Sequence, residues 1–287
     1  MLLQAKSFMA KIRAGVVGCG AIGSEICRAI DSELSSGMEL KLLIDKHPEN
    51  IERLCKSLKN KPDMIKSDST KLDEILAEVD LIIECASQAA VREFVIPAVK
   101  KGKDVMILSV GALLCEPGLF EELERISEEK GCKVYIPSGA VAGIDGLKSG
   151  AVGGIHLVEL TTRKPPSGFE GNEYVKEKGI DLPSIEKEKT LFTGSAKEAV
   201  KFFPENVNVA ASLSLAGIGP EATRVKIVAD PSAAENVHEI KVRGEFGKLF
   251  VRVENVPSIA NPKTSYLAAL SAIATLKSIS YPIRVGT

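Results

Sequence analysis

Three glycines in this chain have a spacing suited to binding phosphate. Gly18, Gly20 and Gly23 follow an apolar run and directly precede a helical pattern, in the order G-x-G-x-x-G. Gly18 permits a tight turn, Gly20 lets a pyrophosphate approach the backbone, and Gly23 lets the helix pack close to the strand. The first amides of that helix, at Ala21 and Ile22, would receive the phosphate charge. The pattern predicts a dinucleotide site, and the alternative is a glycine-rich strand–turn–helix without a ligand.

An acidic residue stands where such a site needs one. Asp45 ends the next apolar run, about twenty residues beyond the last glycine. A carboxylate there can accept both ribose hydroxyls of the adenosine and would repel a 2′-phosphate, which favours NAD. Lys46 and His47 follow directly and could neutralise a phosphate, so NADP stays open. Asp45 could instead be a helix cap or turn residue before Pro48.

Small residues follow two further apolar runs. Ala86 and Ser87 come after one predicted strand, and Ser138, Gly139 and Ala140 come after another. Small side chains at the carboxyl ends of parallel strands let a flat nicotinamide or a substrate approach the backbone. Each segment could equally be ordinary loop sequence.

One histidine lies in a strand pattern. Alternation in NVHEIKVR puts His238 on the same face as Ile240 and Val242, so the residues alone favour a satisfied core histidine. Its imidazole would also suit proton transfer near neutral pH. Asn206 and Asn208 could hydrogen-bond a nicotinamide or a substrate, or one of them could cap the following helix.

Strand and helix patterns alternate through the first half of the chain. The predicted strands are Ala14–Val17, Leu40–Ile44, Leu81–Glu84, Val105–Leu108 and Lys133–Ile136, and the predicted helices include Ser24–Ile30, Ala89–Lys100 and Pro117–Glu129. Right-handed crossovers would join these strands into a mostly parallel sheet with helices on both faces. We therefore predict an α/β protein with an N-terminal Rossmann dinucleotide-binding domain over residues 1–146.

The second half has longer alternating segments, which suit a sheet with one exposed face. They are His156–Thr162, Arg224–Ala229, Val237–Arg243 and Lys248–Glu254. Residues 164–189 are rich in proline, glycine and charge and predict a mobile insertion. Asn261 and Pro262 predict a helix start. We expect a smaller α+β domain for catalysis, substrate binding and dimerisation over residues 147–262, with a C-terminal helix within 263–287 packed on the first domain.

Composition restricts the class of protein. The 287 residues are 45% hydrophobic with a net charge of -1, so there is no basic field for nucleic acid and no apolar run long enough to span a membrane. The N-terminus lacks a signal-peptide pattern, and we expect a cytoplasmic protein. Six cysteines form no C-x-x-C pair and none has ligand spacing with a histidine, so free thiols and no metal site are expected.

A series of longer motifs makes the chain resemble the L-aspartate dehydrogenase family over nearly its whole length. The motifs occur in the family's order: GCGAIG, ECASQAAV, SGAVAGIDG, TTRKPP, FPENVNVAASLSLAG, VADP, ENVHEIKVRGEFG and NPKTSYLAALS. The resemblance implies a homodimer that uses NAD or NADP to interconvert L-aspartate with iminoaspartate, or with oxaloacetate and ammonia. It also implies that iminoaspartate can feed NAD biosynthesis.

The resemblance implies roles for individual residues. His238 matches the proposed catalytic acid/base of the family, and Ala140 and Asn208 match cofactor contacts. Cys19 departs from many relatives, but its side chain is not the part that contacts phosphate. The polar stretch over residues 171–189 looks longer than in compact members, which puts the local geometry in doubt.

A dicarboxylate substrate requires cations, and several stand in the second half of the chain. Arg163 and Lys164 in TTRKPP, together with Asn206 and Lys263, are the predicted substrate-binding residues, while Arg224 and Lys226 are further basic candidates. Arginine suits a bidentate carboxylate clamp, although most such residues are simply solvated.

Two other classes of protein share the glycine motif. One is another two-domain oxidoreductase, such as a homoserine dehydrogenase, a dihydrodipicolinate reductase or an inositol-type dehydrogenase. The other is a non-catalytic NAD-sensing protein. No paired-histidine motif supports the reductase, and His238 with the two asparagines argues against loss of catalysis. The fold alone would not choose among them.

Overall fold

The structure is a computed structural model that describes residues 10–66, 68–70, 72–203, 207–258 and 261–286, with the backbone alone at 262 and 263. Contacts divide the chain into two compact units. Of the described residues, the first unit contains those within 1–109, 121–137 and 272–285, and the second contains those within 110–120, 138–271 and 286–287. The main segment of the second unit begins at Ser138, whereas the sequence predicts that the second domain begins at residue 147. A short segment, 110–120, also belongs to the second unit.

The first unit is built on a six-stranded parallel sheet in the order β3-β2-β1-β4-β5-β6. Its strands are β1 Ile12–Val17, β2 Met38–Ile44, β3 Met64–Lys66, β4 Leu81–Glu84, β5 Asp104–Ile107 and β6 Val134–Tyr135. All four residues of β4 are buried, as expected for a central strand covered on both faces. The predicted fold class, a Rossmann domain with a second sheet-bearing domain, is confirmed.

Short helices connect the strands of the first unit. They are α1 Ala21–Asp31, α2 Pro48–Cys55, α3 Leu72–Ala77, α4 Gln88–Ala90, α5 Ile96–Lys100 and most of α7 Leu119–Lys130. Val91–Val95 continues α4 into α5 as one π-helical turn. The C-terminal helix is α12 Tyr266–Ser280. Its residues Ala272 and Leu276 are buried in the same hydrophobic cluster as Ala14 and Val16 of β1.

The second unit is built on a mixed five-stranded sheet in the order β11-β10-β7-β9-β8, in which only β7 and β9 are parallel. Its strands are β7 Ile155–Lys164, β8 Lys189–Ser195, β9 Arg224–Ala229, β10 Asn236–Gly244 and β11 Gly247–Asn255. A two-stranded sheet pairs β12 Pro257–Ser258 with β13 Asn261–Ser265. The helices are α6 Ala112–Cys115, α8 Ile144–Gly153, α9 Glu173–Glu177, α10 Ala196–Phe202 and α11 Val207–Ala216.

Alternation along these strands separates two faces, as the sequence predicts. Val158 and Leu160 of β7 and Ile240 of β10 point into the core, whereas Phe250 and Arg252 of β11 lie on the opposite, exposed face. The strand pattern therefore fixes which polar side chains can lie on the covered face.

Residues 164–189, for which the sequence predicts a mobile insertion, contain secondary structure and buried side chains. A 3-10 helix, Pro166–Phe169, and α9 lie in this segment, and Phe169, Val175 and Ile185 are buried in the core. The ring of Tyr174 lies 4.9 to 6.0 Å from those of three phenylalanines, at positions 192, 202 and 203. A few spaced apolar side chains thus anchor a segment whose composition is mostly polar.

The predicted helix start at Asn261 and Pro262 is wrong. Residues Asn261–Ser265 form β13, and the helix begins at Tyr266, whose amide donates to the carbonyl of Val256. Pairing of Ser265 with Pro257 holds this segment extended.

Candidate active site

The glycine loop of the first unit has the shape that a dinucleotide site requires. Gly18 has a φ of +97°, and a Cβ on Gly23 would lie 1.8 Å from the carbonyl oxygen of Gly18. A Cβ on Gly20 would meet nothing within 4 Å. Two glycines are therefore needed by the protein's own packing, whereas Gly20 leaves free space beside the backbone.

Asp45 ties the end of β2 to this loop. Its Oδ2 accepts a hydrogen bond from the Cys19 amide at 2.7 Å, and its Oδ1 accepts one from the His47 amide at 2.8 Å. The Asn50 side chain donates to the same carboxylate at 3.3 Å. Asp45 is thus a turn residue, as the alternative proposed, and it also lines the cavity described below. His47, not Asp45, occupies the N-cap position of α2, and its side chain makes no capping hydrogen bond there.

Glu84 is a buried carboxylate whose role the sequence did not indicate. Its Oε1 accepts from the amides of Ala86 and Ser87 at 2.8 and 3.0 Å, and both its oxygens accept from Ser109, through the hydroxyl and the amide. Burial raises the pKa of Glu84, while these hydrogen bonds oppose the rise. The carboxylate fixes the turn that carries Ala86 and Ser87, and the Ser87 hydroxyl caps α4.

A cavity of about 490 Å³ opens at the carboxyl ends of these strands. Residues from three predicted groups line it: Gly18 and Gly20 of the loop, Asp45, Lys46 and His47 after β2, and Ala86 and Ser87 after β4. The open space at Gly20, the N-terminus of α1 and the acidic residue after β2 fit a pyridine dinucleotide. Ala21, Ile22 and Gly23 form the first turn of α1 beside it.

His238 lies on the covered face of the second sheet. It is 5% exposed, and its Nδ1 lies 3.0 Å from the Thr162 hydroxyl, directly opposite on β7. Burial, with the positive charge of Lys164 as a second cause, lowers the pKa of His238 to about 3. The imidazole is therefore neutral in this structure, with Nδ1 engaged by Thr162.

The two basic residues of TTRKPP lie on opposite faces of β7. Lys164 is buried on the face of His238 and lines a cavity of about 510 Å³ together with Asn236. Arg163 lies on the other face, where it pairs with Glu188 and, through Nε at 3.4 Å, with Glu239. The structure thus brings Lys164, but not Arg163, to the face of His238.

Two other predicted residues, Asn208 and Ala140, take part in hydrogen bonds between a side chain and the backbone of the second unit. Asn208 accepts a hydrogen bond from the Gly111 amide at 2.9 Å. Ala140 is 7% exposed, and its carbonyl accepts from the Asn255 side chain at 3.0 Å. Asn206 lies outside the described residues, and for Lys263 only the backbone, in β13, is described.

Three residues of these arrangements were assigned no role from the sequence: Glu84, which ends a predicted strand, Thr162 and Asn255. A charged residue in an otherwise apolar central strand is a signal that could have found Glu84. Thr162 and Asn255 gave no such signal, because their neighbours depend on strand register between distant segments. Among the described residues, no three His, Cys, Asp or Glu side chains are grouped to hold a metal ion. In the same part of the chain, no helix is long and apolar enough to cross a membrane.

Comparison with known proteins agrees with this geometry. A family model described as "Aspartate dehydrogenase, C-terminal" matches residues 145–279, and "Homoserine dehydrogenase, NAD binding domain" matches residues 18–137. The first unit is thus an NAD-binding type of domain, and the cofactor is a pyridine nucleotide.

Several proteins that match nearly the whole of this chain are named aspartate dehydrogenases. The L-aspartate dehydrogenase of Methanosarcina acetivorans is 56% identical over 96% of this chain and 100% of its own, and that of Methanocella arvoryzae is 45% identical over 96% and 99%. The crystal structure of aspartate dehydrogenase from Thermotoga maritima is 26% identical, covers 96% of this chain and 100% of its own, and superposes with a TM-score of 0.72. These matches confirm the predicted resemblance, and the chain belongs to the L-aspartate dehydrogenase family.

Proposed function

We propose that this protein oxidises L-aspartate to iminoaspartate, which water converts to oxaloacetate and ammonia, and that it catalyses the reverse amination. The observation that carries the proposal is the neutral, buried His238 on the same sheet face as Lys164, in a chain of this family. A bound NAD or NADP would take up the hydride that leaves the α-carbon. Side chains of the protein would transfer the protons and bind the substrate carboxylates.

His238 is the proposed acid/base. In oxidation, the substrate nitrogen must lose a proton, and the water that attacks the imine must lose another. With Nδ1 held by Thr162, Nε2 is the nitrogen that would accept such a proton. The Thr162 hydroxyl can donate to Nδ1 or accept from it, so it suits either neutral tautomer.

A bound dicarboxylate would raise the basicity of His238. In the structure, burial and Lys164 both disfavour the imidazolium. Two substrate carboxylates would oppose the charge of Lys164 and favour the protonated ring. The pKa would then rise toward the range in which a base works efficiently.

Lys164 is the proposed partner of a substrate carboxylate. Its ammonium belongs to a side chain 8% exposed at the rim of the second cavity, where Asn236 and Ser167 supply polar groups. Lys263 and Asn206 stay proposals from the sequence. Arg163 is a weaker candidate, because it lies on the face of β7 opposite His238, where it pairs with Glu188 and Glu239.

The proposed cofactor is NAD, held by the glycine loop with the amides of Ala21 and Ile22 on the pyrophosphate. Asp45 at the end of β2 would accept the ribose hydroxyls. Ala86, Ser87, Ala140 and Asn208 are the further proposed cofactor contacts.

The test is an absorbance assay at the nicotinamide band. L-Aspartate is supplied with NAD or NADP, and oxaloacetate plus ammonia with either reduced cofactor. We expect turnover in both directions and a higher kcat/KM with NAD. The absence of turnover with L-aspartate, with homoserine or an inositol as an active substrate instead, would overturn the proposal.

We further propose that the enzyme is a cytoplasmic homodimer whose iminoaspartate can enter NAD biosynthesis. The exposed face of the second sheet, with Phe250 at 58% exposure amid charged residues, supports a dimer surface. Light scattering coupled to size-exclusion chromatography would measure the mass, and a monomer at assay concentration would contradict this part.

A further inference from the structure

Asn255 is a buried amide at the end of β11 with no role in the proposed reaction so far. It is 2% exposed, and its Nδ2 donates to the carbonyl of Ala140 at 3.0 Å. That bond fixes which way round the amide lies, because only nitrogen can donate to a carbonyl. Its Oδ1 then has no hydrogen-bond partner among the described residues.

This unpaired oxygen is exceptional within the described part of the chain. No other buried side-chain nitrogen or oxygen there lacks a partner. A buried acceptor without a donor has lost its hydration with nothing in return, so such groups are rare outside functional sites. Asn255 therefore calls for an N–H or O–H group that the described residues do not supply.

Strand register places Asn255 beside the proposed site. It lies opposite Asn236 on β10, and His238 lies opposite Val253, two residues earlier on β11. Opposite residues and their i+2 neighbours share one face of a sheet, so Asn255 and His238 are diagonal neighbours on the same face. Asn236 lines the cavity that Lys164 also lines.

We propose that Asn255 is a ligand-binding residue whose Oδ1 accepts a hydrogen bond from an N–H group of a bound reactant, while its Nδ2 holds the Ala140 carbonyl in place. This inference rests on the proposed function. Both reactants of that function carry such a group: the carboxamide of the nicotinamide and the ammonium of the amino acid. No proton is transferred in this role.

The main variant is Asn255→Leu, which keeps the number and branching of the side-chain heavy atoms and removes both polar atoms. Thr161→Val is the matched control, because Thr161 is 4% exposed but lies on the opposite face of β7 from Thr162. Three quantities are measured: the thermal midpoint without ligand, the Kd of NADH from its fluorescence, and the KM of L-aspartate.

We expect Asn255→Leu to have a thermal midpoint close to that of the wild type, because the substitution removes one unpaired acceptor, Oδ1, while it leaves another, the Ala140 carbonyl, without its donor. Affinity for one reactant should fall about tenfold, the equivalent of one hydrogen bond. A weaker Kd for NADH that Asn255→Asp restores identifies the carboxamide as the donor, since aspartate keeps the acceptor oxygen but not the bond to Ala140. A higher KM for L-aspartate alone, restored in the same way, identifies the ammonium. Thr161→Val should change neither.

Wild-type affinity of Asn255→Leu for both NADH and L-aspartate would overturn the inference, as would an equal loss in Thr161→Val. If Asn255→Leu does not fold, Asn255→Asp decides, since it keeps an acceptor oxygen. Retained affinity in Asn255→Asp supports the inference, and loss of both affinities contradicts it. A wild-type protein that does not oxidise L-aspartate refutes the proposed function separately, while the NADH arm still tests Asn255.

Discussion

The candidate sites of the two sheets are built from different chemical groups: backbone amides in the first unit and side chains in the second. In the first unit, backbone amides of Cys19, Ala86 and Ser87 are held by the carboxylates of Asp45 and Glu84. In the second, the groups that matter are side chains on neighbouring strands, above all His238 and Thr162. A site built from backbone should tolerate many side-chain changes, whereas a site built from side chains should fail at single substitutions.

The largest expected effect is at His238. His238→Ala should lower turnover by about a hundredfold to ten-thousandfold, the usual loss for a general acid/base, with the Kd of NADH nearly unchanged. Steady-state kinetics and NADH fluorescence measure the two quantities. A variant that loses thermal stability but turns over aspartate at the wild-type rate would make His238 a structural residue.

A smaller loss is expected at Thr162, which acts through His238. Thr162→Val should lower kcat by about tenfold to a hundredfold with little change in KM, as for other partners that orient a functional histidine. Thr162→Ser, which keeps the hydroxyl, should restore most of the rate. Thr161→Val is again the control, and an equal loss there would show that the strand, not the hydroxyl contact, matters.

A substitution at Asp45 tests the candidate cofactor site of the first unit. Asp45→Ser should weaken NAD binding by about tenfold and shift the ratio of kcat/KM toward NADP, because the charge that repels a 2′-phosphate is gone. Asp68→Ser removes another carboxylate of the same cavity and should leave the ratio unchanged. An unaltered ratio in Asp45→Ser would remove Asp45 from the ribose site.

The smallest effect is on the pH dependence of stability. The folded protein holds the pKa of His238 at about 3, and an unfolded histidine has about 6.5. Below about pH 6.5 the unfolded chain binds a proton that the folded chain does not, so stability falls as the pH falls toward 3.

Urea unfolding at about pH 7 and about pH 4 measures this contribution, which we expect to be on the order of 1–3 kcal/mol. His238→Gln should lose less stability between the two values than the wild type. His156→Gln is the control, because the His156 side chain is 62% exposed. Equal pH dependence in wild type and His238→Gln would contradict the low pKa.

The same contrast explains what the sequence could predict. Glycine spacing and apolar runs placed Gly18, Gly20 and the central strands, since turn geometry and strand burial are local properties. Contacts such as that of Thr162 with His238 join segments 76 residues apart, and no local pattern records their register. Asp45 has features of both types: the sequence predicts its position at the end of a strand, but not its hydrogen bond with the Cys19 amide.

The segment over residues 164–189 shows that composition can also mislead. Composition suggested mobility there, yet Phe169 is 2% exposed. Burial of a few large side chains outweighs the entropy of ordering a polar segment, and averages over composition hide them.

The rings around Tyr174 also determine how the protein can be observed. The chain has four tyrosines and no tryptophan, so tyrosine dominates its intrinsic ultraviolet emission. Tyr174 sits among phenylalanine rings in the second unit, whereas Tyr135 and Tyr281 belong to the first. The emission of a bound reduced nicotinamide would therefore be recorded without a tryptophan background. A single tryptophan introduced at Phe202, whose ring is 4.9 Å from that of Tyr174, would give the second unit its own optical signal.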